Sequence, residues 1–193
     1  MTFYKNFLSP SQFSLIKKAI NKNIGHIKDL AYRAKEENVY NPAWEDQISR
    51  EALIPLLKDP NAYHQASRKI SVKVKGPIDQ RNYPCLALTP VLQAMFPEYE
   101  LKQSGCFYYP KGGFMGWHTN HDTIEDRLYI TYTEKDKQSF FRYYKDKNII
   151  TDYDDKGITV RRFSVAGGPP FFWHCVGSNT NRFSFGYRLH PIQ

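Results

Sequence analysis

Cysteine is scarce in this chain: three residues among 193, Cys85, Cys106 and Cys175, widely spaced and with no C-x-x-C pair. That leaves no disulfide framework and no zinc-binding spacing, and it suits a reducing, cytoplasmic compartment. Long apolar runs are missing too, so no membrane-spanning helix is expected. The N-terminal MTFYKNFLSPSQ has no basic stretch leading into an apolar one, which argues against a secretory signal. No internal repeat, low-complexity tract or linker divides the chain. Acidic residues are outnumbered, 19 against 27 Lys and Arg, for a net charge of +8 and a pI near 9.3. Such a balance invites a nucleic-acid or phosphate-rich partner, but the basic residues are dispersed, so the indication is weak. Lys73 and Lys75, alternating in RKISVKVKG, read as a solvated strand face or a guarded edge.

What is present argues for a packed core. Hydrophobic residues make up 41% and aromatics 16% of a length that suits one domain, residues 1–193. Residues 1–98 read as helical support. Ser9-Pro10-Ser11-Gln12 has the form of a capping box with proline at the first helical position, and Phe13, Ile16 and Ile20 recur on one face, predicting a helix over 10–23. Further helices are expected over 27–37 and 45–57, the last ended or kinked by Pro55. Residues 69–75 alternate like a strand, and a short helix starts at Thr89-Pro90 and closes at Pro97. From residue 99 the texture is β. Aromatic and β-branched runs at 101–109, 114–119, 127–133, 139–144, 158–165, 171–176 and 182–189 are separated by EKDK, DYDDKG and AGGPP, the pattern of a sandwich or barrel.

Three metal-capable side chains, His118, His121 and Asp122, follow the Gly112-Gly113 turn within one short window. If the strand continues, positions 118, 120 and 122 share a face while His121 points the other way. A further imidazole, His174, stands 174 − 118 = 56 residues on from His118, and Arg182-x-Ser184 follows it. Two imidazoles and an oxygen donor on strand ends, with open positions, describe the facial site of non-heme Fe(II) enzymes. Trp117 and Trp173, each just before a candidate histidine, alternate away from it toward a core.

In this order the motifs resemble the iron- and 2-oxoglutarate-dependent dioxygenases. His118-x-Asn120 stands where that family has its HxD pair, His174 is similar to its distal histidine, and Tyr109-x-x-Gly112 before His118 looks like the approach in its prolyl-hydroxylase and AlkB-like branches. The resemblance covers residues 99–190 and is to short, stand-alone phage or bacterial forms. It implies an α+β chain whose core is a double-stranded β-helix (jelly roll) backed by N-terminal helices. It also implies Fe(II) and 2-oxoglutarate as cofactors, dioxygen as co-reactant, and hydroxylation with release of succinate and CO2. Arg182 and Ser184 would hold the far carboxylate of 2-oxoglutarate, with Arg188 in reserve should the register differ, and Tyr109 would donate its phenol to the same group.

One position departs from the pattern. The family's carboxylate falls at Asn120, a neutral amide, so the third donor is Asn120, Asp122 or a non-protein ligand, and a vacant position would admit halide and a halogenase outcome. Two readings of other kinds remain: a catalytically silent β-helix binding module, with nucleic acid as a partner, and a cupin-like metal enzyme that uses no keto acid. The substrate, whether a protein side chain, a nucleobase or a small molecule, is not marked in the sequence.

Overall fold

Ser9 Oγ accepts from the Gln12 N–H at 3.3 Å and Gln12 Oε1 accepts from the Ser9 N–H at 3.0 Å, closing the capping box that starts the first helix. The computed structural model describes residues 2–34, 44–59, 72–73, 87–120 and 124–192. Helix α1 (Pro10–Ala34) is continuous where two helices were expected. Gly25 costs about 1 kcal/mol in a helix interior but removes no hydrogen bond, so it does not divide the element. Residues 35–37 of the expected second helix lie outside the described residues.

The expected third helix is a 3₁₀ turn over Asp46–Ile48 followed by α2 (Arg50–Lys58). Ser49 separates them, and its hydroxyl accepts from the Ala52 N–H at 3.1 Å. Pro55 sits inside α2 without ending it, since the Asp59 N–H still reaches the Pro55 carbonyl at 3.2 Å. Helix α3 (Leu88–Met95) is the last helix among the described residues. No helix among the described residues is long and apolar enough to cross a membrane.

The β part forms two antiparallel sheets. One has six strands in the order β1-β8-β5-β10-β3-β2: β1 (Phe3–Lys5), β8 (Gly157–Val165), β5 (Glu125–Thr133), β10 (Arg182–Pro191), β3 (Tyr99–Tyr109) and β2 (Val72–Lys73). The other has four, β4 (Gly113–His118), β9 (His174–Ser178), β6 (Ser139–Lys145) and β7 (Asn148–Tyr153), in the order β4-β9-β6-β7. Of the strand expected at 69–75 only Val72 and Lys73 are described, paired with Tyr108 and Phe107.

Three apolar clusters hold the layers together. Ile16, Ile20 and Leu92 pack from α1 and α3 against Leu128, Phe185 and Leu189 on one face of the six-stranded sheet. Between the sheets, Phe141 and Phe163 meet with ring centroids 5.3 Å apart, alongside Phe172 and Val176. On the outer face of the four-stranded sheet, Trp44 and Ile48 cover Phe114, Trp117 and Trp173. Trp117 Nε1–H donates to the Ser49 carbonyl at 2.8 Å and Arg142 Nη1 donates to the Ile48 carbonyl at 2.7 Å, tying the 3₁₀ turn to the sheet.

Gly177 marks the tightest point of that third interface. A Cβ there would lie 2.6 Å from the Trp44 ring, 2.7 Å from Ile48 and 2.7 Å from Phe140. Gly177→Ala is therefore expected to destabilise the fold by about 1–3 kcal/mol through overpacking. Urea unfolding followed by tryptophan fluorescence measures it, and an unchanged midpoint would contradict this packing.

Candidate functional site

The Gly112-Gly113 turn enters β4 with Gly112 at φ 79°, a left-handed value that favours glycine. Strand β4 then runs antiparallel to β9, and the register breaks between Met115 and His118, where β4 spends three residues against two on β9. Beyond that bulge His118 and His174 are direct cross-strand partners. Their ring centroids stand 4.1 Å apart. The bulge also turns the Gly116 carbonyl toward the ring, where it accepts from His118 Nδ1–H at 2.8 Å, and the Phe172 carbonyl accepts from His174 Nδ1–H at 2.9 Å. Each imidazole is thus held in the tautomer that leaves its lone pair on Nε2, the arrangement that metal-binding histidines favour.

The setting keeps His174 neutral. It is fully buried, with Phe141 and Phe172 stacked at 5.2 and 5.1 Å and Phe163 tilted at 5.6 Å. Burial first, and the neighbouring His118 second, pull its pKa well below the usual imidazole range.

Asn120 reaches the same point by a route other than strand alternation. Strand β4 ends at His118, and Asn120 adopts φ 51°, a left-handed conformation that asparagine tolerates better than most residues. Its Nδ2 donates to His174 Nε2 at 3.0 Å and to the Tyr129 hydroxyl at 3.2 Å. Turning the amide over presents Oδ1 to the same place, and the two orientations have nearly the same shape. Asp122 and His121 lie outside the described residues. Among the described residues no group of three His, Cys, Asp or Glu side chains is placed to hold a metal ion, so the donors brought together are two imidazoles and one amide.

These side chains open into a cavity of about 380 Å³ between the sheets, within the range of small-molecule pockets. Tyr109 and Ser184 line it, but Arg182 does not. Arg182 is buried beside it, with its guanidinium 5.1 Å from the centre of the Tyr109 ring. Its Nε donates to Asp154 Oδ2 at 2.9 Å and its Nη2 to Thr131 Oγ1 at 3.2 Å, while Nη1 is buried without a hydrogen-bond partner among the described residues. Burial raises the Tyr109 pKa despite the nearby Arg182 charge, so the phenol stays protonated and able to donate.

Among the polar lining residues, Tyr129 and Arg127 had no part in the sequence reading and Arg188 a lesser one. Arg127 and Tyr129 lie at i and i+2 on β5 and share a face, but nothing in EDRLYITY distinguishes the inward arginine from a surface one.

No protein-family model matches the sequence, and no curated protein matches it. Solved structures do. The chain is similar to a viral collagen prolyl hydroxylase from Paramecium Bursaria Chlorella virus-1, in its 2OG complex, at 13% identity over 98% of this chain and 97% of that one, with a TM-score of 0.52. A prolyl hydroxylase from Trichoplax adhaerens, in complex with a hypoxia inducible factor oxygen degradation domain peptide fragment, is 11% identical over 98% of this chain and 83% of that one, TM-score 0.51. A 2OG-Fe(II) oxygenase family oxidoreductase from Burkholderia pseudomallei is 17% identical, with 65% of this chain and 64% of that chain covered and a TM-score of 0.42. At such identities the likeness is one of architecture, and the chain shares the fold of prolyl hydroxylases.

Proposed function

We propose that the chain is an Fe(II)- and 2-oxoglutarate-dependent oxygenase that hydroxylates a C–H bond of a substrate admitted to the cavity between the sheets. The observation that carries this reading is the cross-strand pair His118 and His174, with both Nδ1 atoms held by carbonyls in the tautomer that puts each ring's lone pair on Nε2, where the Asn120 amide also converges. The strand orders β8-β5-β10-β3 and β4-β9-β6-β7 support reading the sandwich as a double-stranded β-helix, with the helices as buttress to a single unit.

The donor chemistry fits the cofactors. His118 and His174 would hold iron, with Asn120 Oδ1 or Asp122 as the third protein donor. A carboxylate of 2-oxoglutarate suits the far end: Ser184 and the protonated Tyr109 line the cavity there, and Nη1 of Arg182, without a hydrogen-bond partner among the described residues, is a buried cationic donor beside them. Bound together, iron and 2-oxoglutarate would activate dioxygen toward a C–H bond, one oxygen atom ending in the hydroxylated product and the other in succinate, with CO2 released. The chain's own contribution is orientation and dryness. Phe141, Phe163 and Phe172 fix the His174 ring and exclude water from it, and Asp154 fixes the Arg182 fork.

Succinate release from 2-oxoglutarate, with Fe(II) and air, tests this reading. Background-level succinate from metal-loaded protein would leave a binding module instead. A second measurement concerns Asn120. An aspartate tolerates the same left-handed backbone and adds a charge next to a divalent ion, so Asn120→Asp is expected to tighten Mn(II) binding on the order of tenfold. Calorimetric titration reads the change, and unaltered affinity would remove position 120 from the ligand set.

A further inference from the structure

The protons on His174 fix which end of the Asn120 amide faces it. His174 Nδ1 carries the ring hydrogen, since it donates to the Phe172 carbonyl at 2.9 Å. Nε2 of the neutral ring can then only accept. The amide therefore presents Nδ2 to it, at 3.0 Å, and the second Nδ2 hydrogen goes to the Tyr129 hydroxyl at 3.2 Å. In this arrangement Asn120 engages the same lone pair that a cation would need.

A cation on Nε2 repels the Nδ2 hydrogens and attracts Oδ1, so binding requires the amide to turn over. The atom facing Tyr129 then changes from a donor to an acceptor. A phenol meets both demands: its oxygen accepts from Nδ2–H before the turn, and its O–H donates to Oδ1 after it. That donation takes one Oδ1 lone pair and leaves the second for the metal. A carboxylate offers an oxygen whichever way it turns, whereas an amide has to be oriented.

Packing holds the Tyr129 hydroxyl where this requires it. Its ring, on the cavity wall, meets Phe163 edge-on at 4.9 Å and 84°, and Phe141 at 6.3 Å and 83°. The same two rings flank His174. The cross-strand partner of Tyr129 is Gly186, where a Cβ would lie 3.2 Å from the Tyr129 ring. Imidazole and phenol are thus set by one aromatic cluster, with the amide between them.

We propose that Tyr129 is the positioning residue for Asn120: its hydroxyl holds the amide across His174 in the metal-free chain and, once the amide turns over, directs Oδ1 onto the metal. This deepens the oxygenase reading and rests on it for the presence of a metal.

A double-mutant cycle on Zn(II) affinity, read by calorimetry, tests the role. Zn(II) binds such sites more tightly than Mn(II), which keeps the weaker variants measurable. Tyr129→Phe keeps the ring and its packing, and it is expected to weaken Zn(II) by about tenfold in the chain with Asn120 but by less than about twofold in Asn120→Ala. NMR of the metal-free protein gives a second readout. The two Nδ2 hydrogens of Asn120 resonate separately, and Tyr129→Phe should move one far more than the other, which stays with His174. Equal weakening in both backgrounds, unaltered affinity in Tyr129→Phe, or amide signals that do not respond would overturn the role. Coupling between positions 120 and 129 in a protein that releases only background succinate would keep the role and refute the oxygenase reading. A wild-type protein that takes up no Zn(II) would refute both.

Discussion

Replacing His174 with alanine is expected to lower affinity for Fe(II) or Mn(II) by about a hundredfold or more, the largest functional effect of any single change. Among the described residues two imidazoles meet at the site, and the amide of Asn120 carries no charge with which to hold a metal alone. The loss should far exceed the effect on the fold. His174 packs among Phe141, Phe163 and Phe172, so truncation leaves a cavity worth roughly 2–4 kcal/mol. His174→Gln fills much of that space without restoring an imidazole, and it should show the same loss of metal with less unfolding. Calorimetry with Mn(II) and a circular-dichroism melt on both variants distinguish the two effects. Full metal affinity in a folded His174→Gln protein would contradict the assignment.

The largest structural effect is expected at Asp154. Its fully buried carboxylate accepts from Arg161, from Arg182 Nε at 2.9 Å and from the Ser139 hydroxyl at 2.5 Å. Asp154→Ala leaves Arg161 and Arg182 buried with one carboxylate fewer, which should cost about 3–5 kcal/mol. Arg161 keeps Asp152, but Arg182 loses its only acidic partner among the described residues, so 2-oxoglutarate binding should weaken as well.

The same group sets an acid limit on stability. Burial alone would push the Asp154 carboxyl up, but the Arg161 and Arg182 charges and the Ser139 hydroxyl outweigh it and hold its pKa well below the carboxylate range. A group depressed in the folded state contributes stability that is present above its unfolded pKa, near ~3.9, and that drains away as pH falls toward the folded value. Urea midpoints at neutral pH and near pH 3 should therefore converge between wild type and Asp154→Asn as the pH drops. A constant gap between them would show that the carboxylate is not carrying the difference.

How much of this was legible in the chain differs from residue to residue. His118 and His174 could be read as a pair because each stands in an aromatic strand with its own companions, a Gly-rich entry before one and Arg182-x-Ser184 after the other. Their meeting as cross-strand partners depends on the bulge in β4, and a bulge leaves no trace in a six-residue strand that is buried throughout. Asn120 was placed by strand parity, whereas a left-handed turn delivers it. Strand β7 was missed because its residues alternate only between exposed and half-buried, and because DYDDKG has the composition of a turn. Two of those acidic residues, Asp152 and Asp154, instead serve Arg161 and Arg182. Strand β1 was missed for its length of three residues. Strand β9 starts at His174 rather than at residue 171, so the aromatic run preceding it is approach and not strand.

The central claim, that His118 and His174 hold a metal against which 2-oxoglutarate binds, is tested most directly by absorbance under anaerobic conditions. Fe(II) and then 2-oxoglutarate are titrated into the protein, and a weak visible charge-transfer band should grow to saturation at one equivalent, absent from His174→Gln and His118→Gln. A flat trace from intact, folded protein, or a band that survives in either variant, would contradict the account.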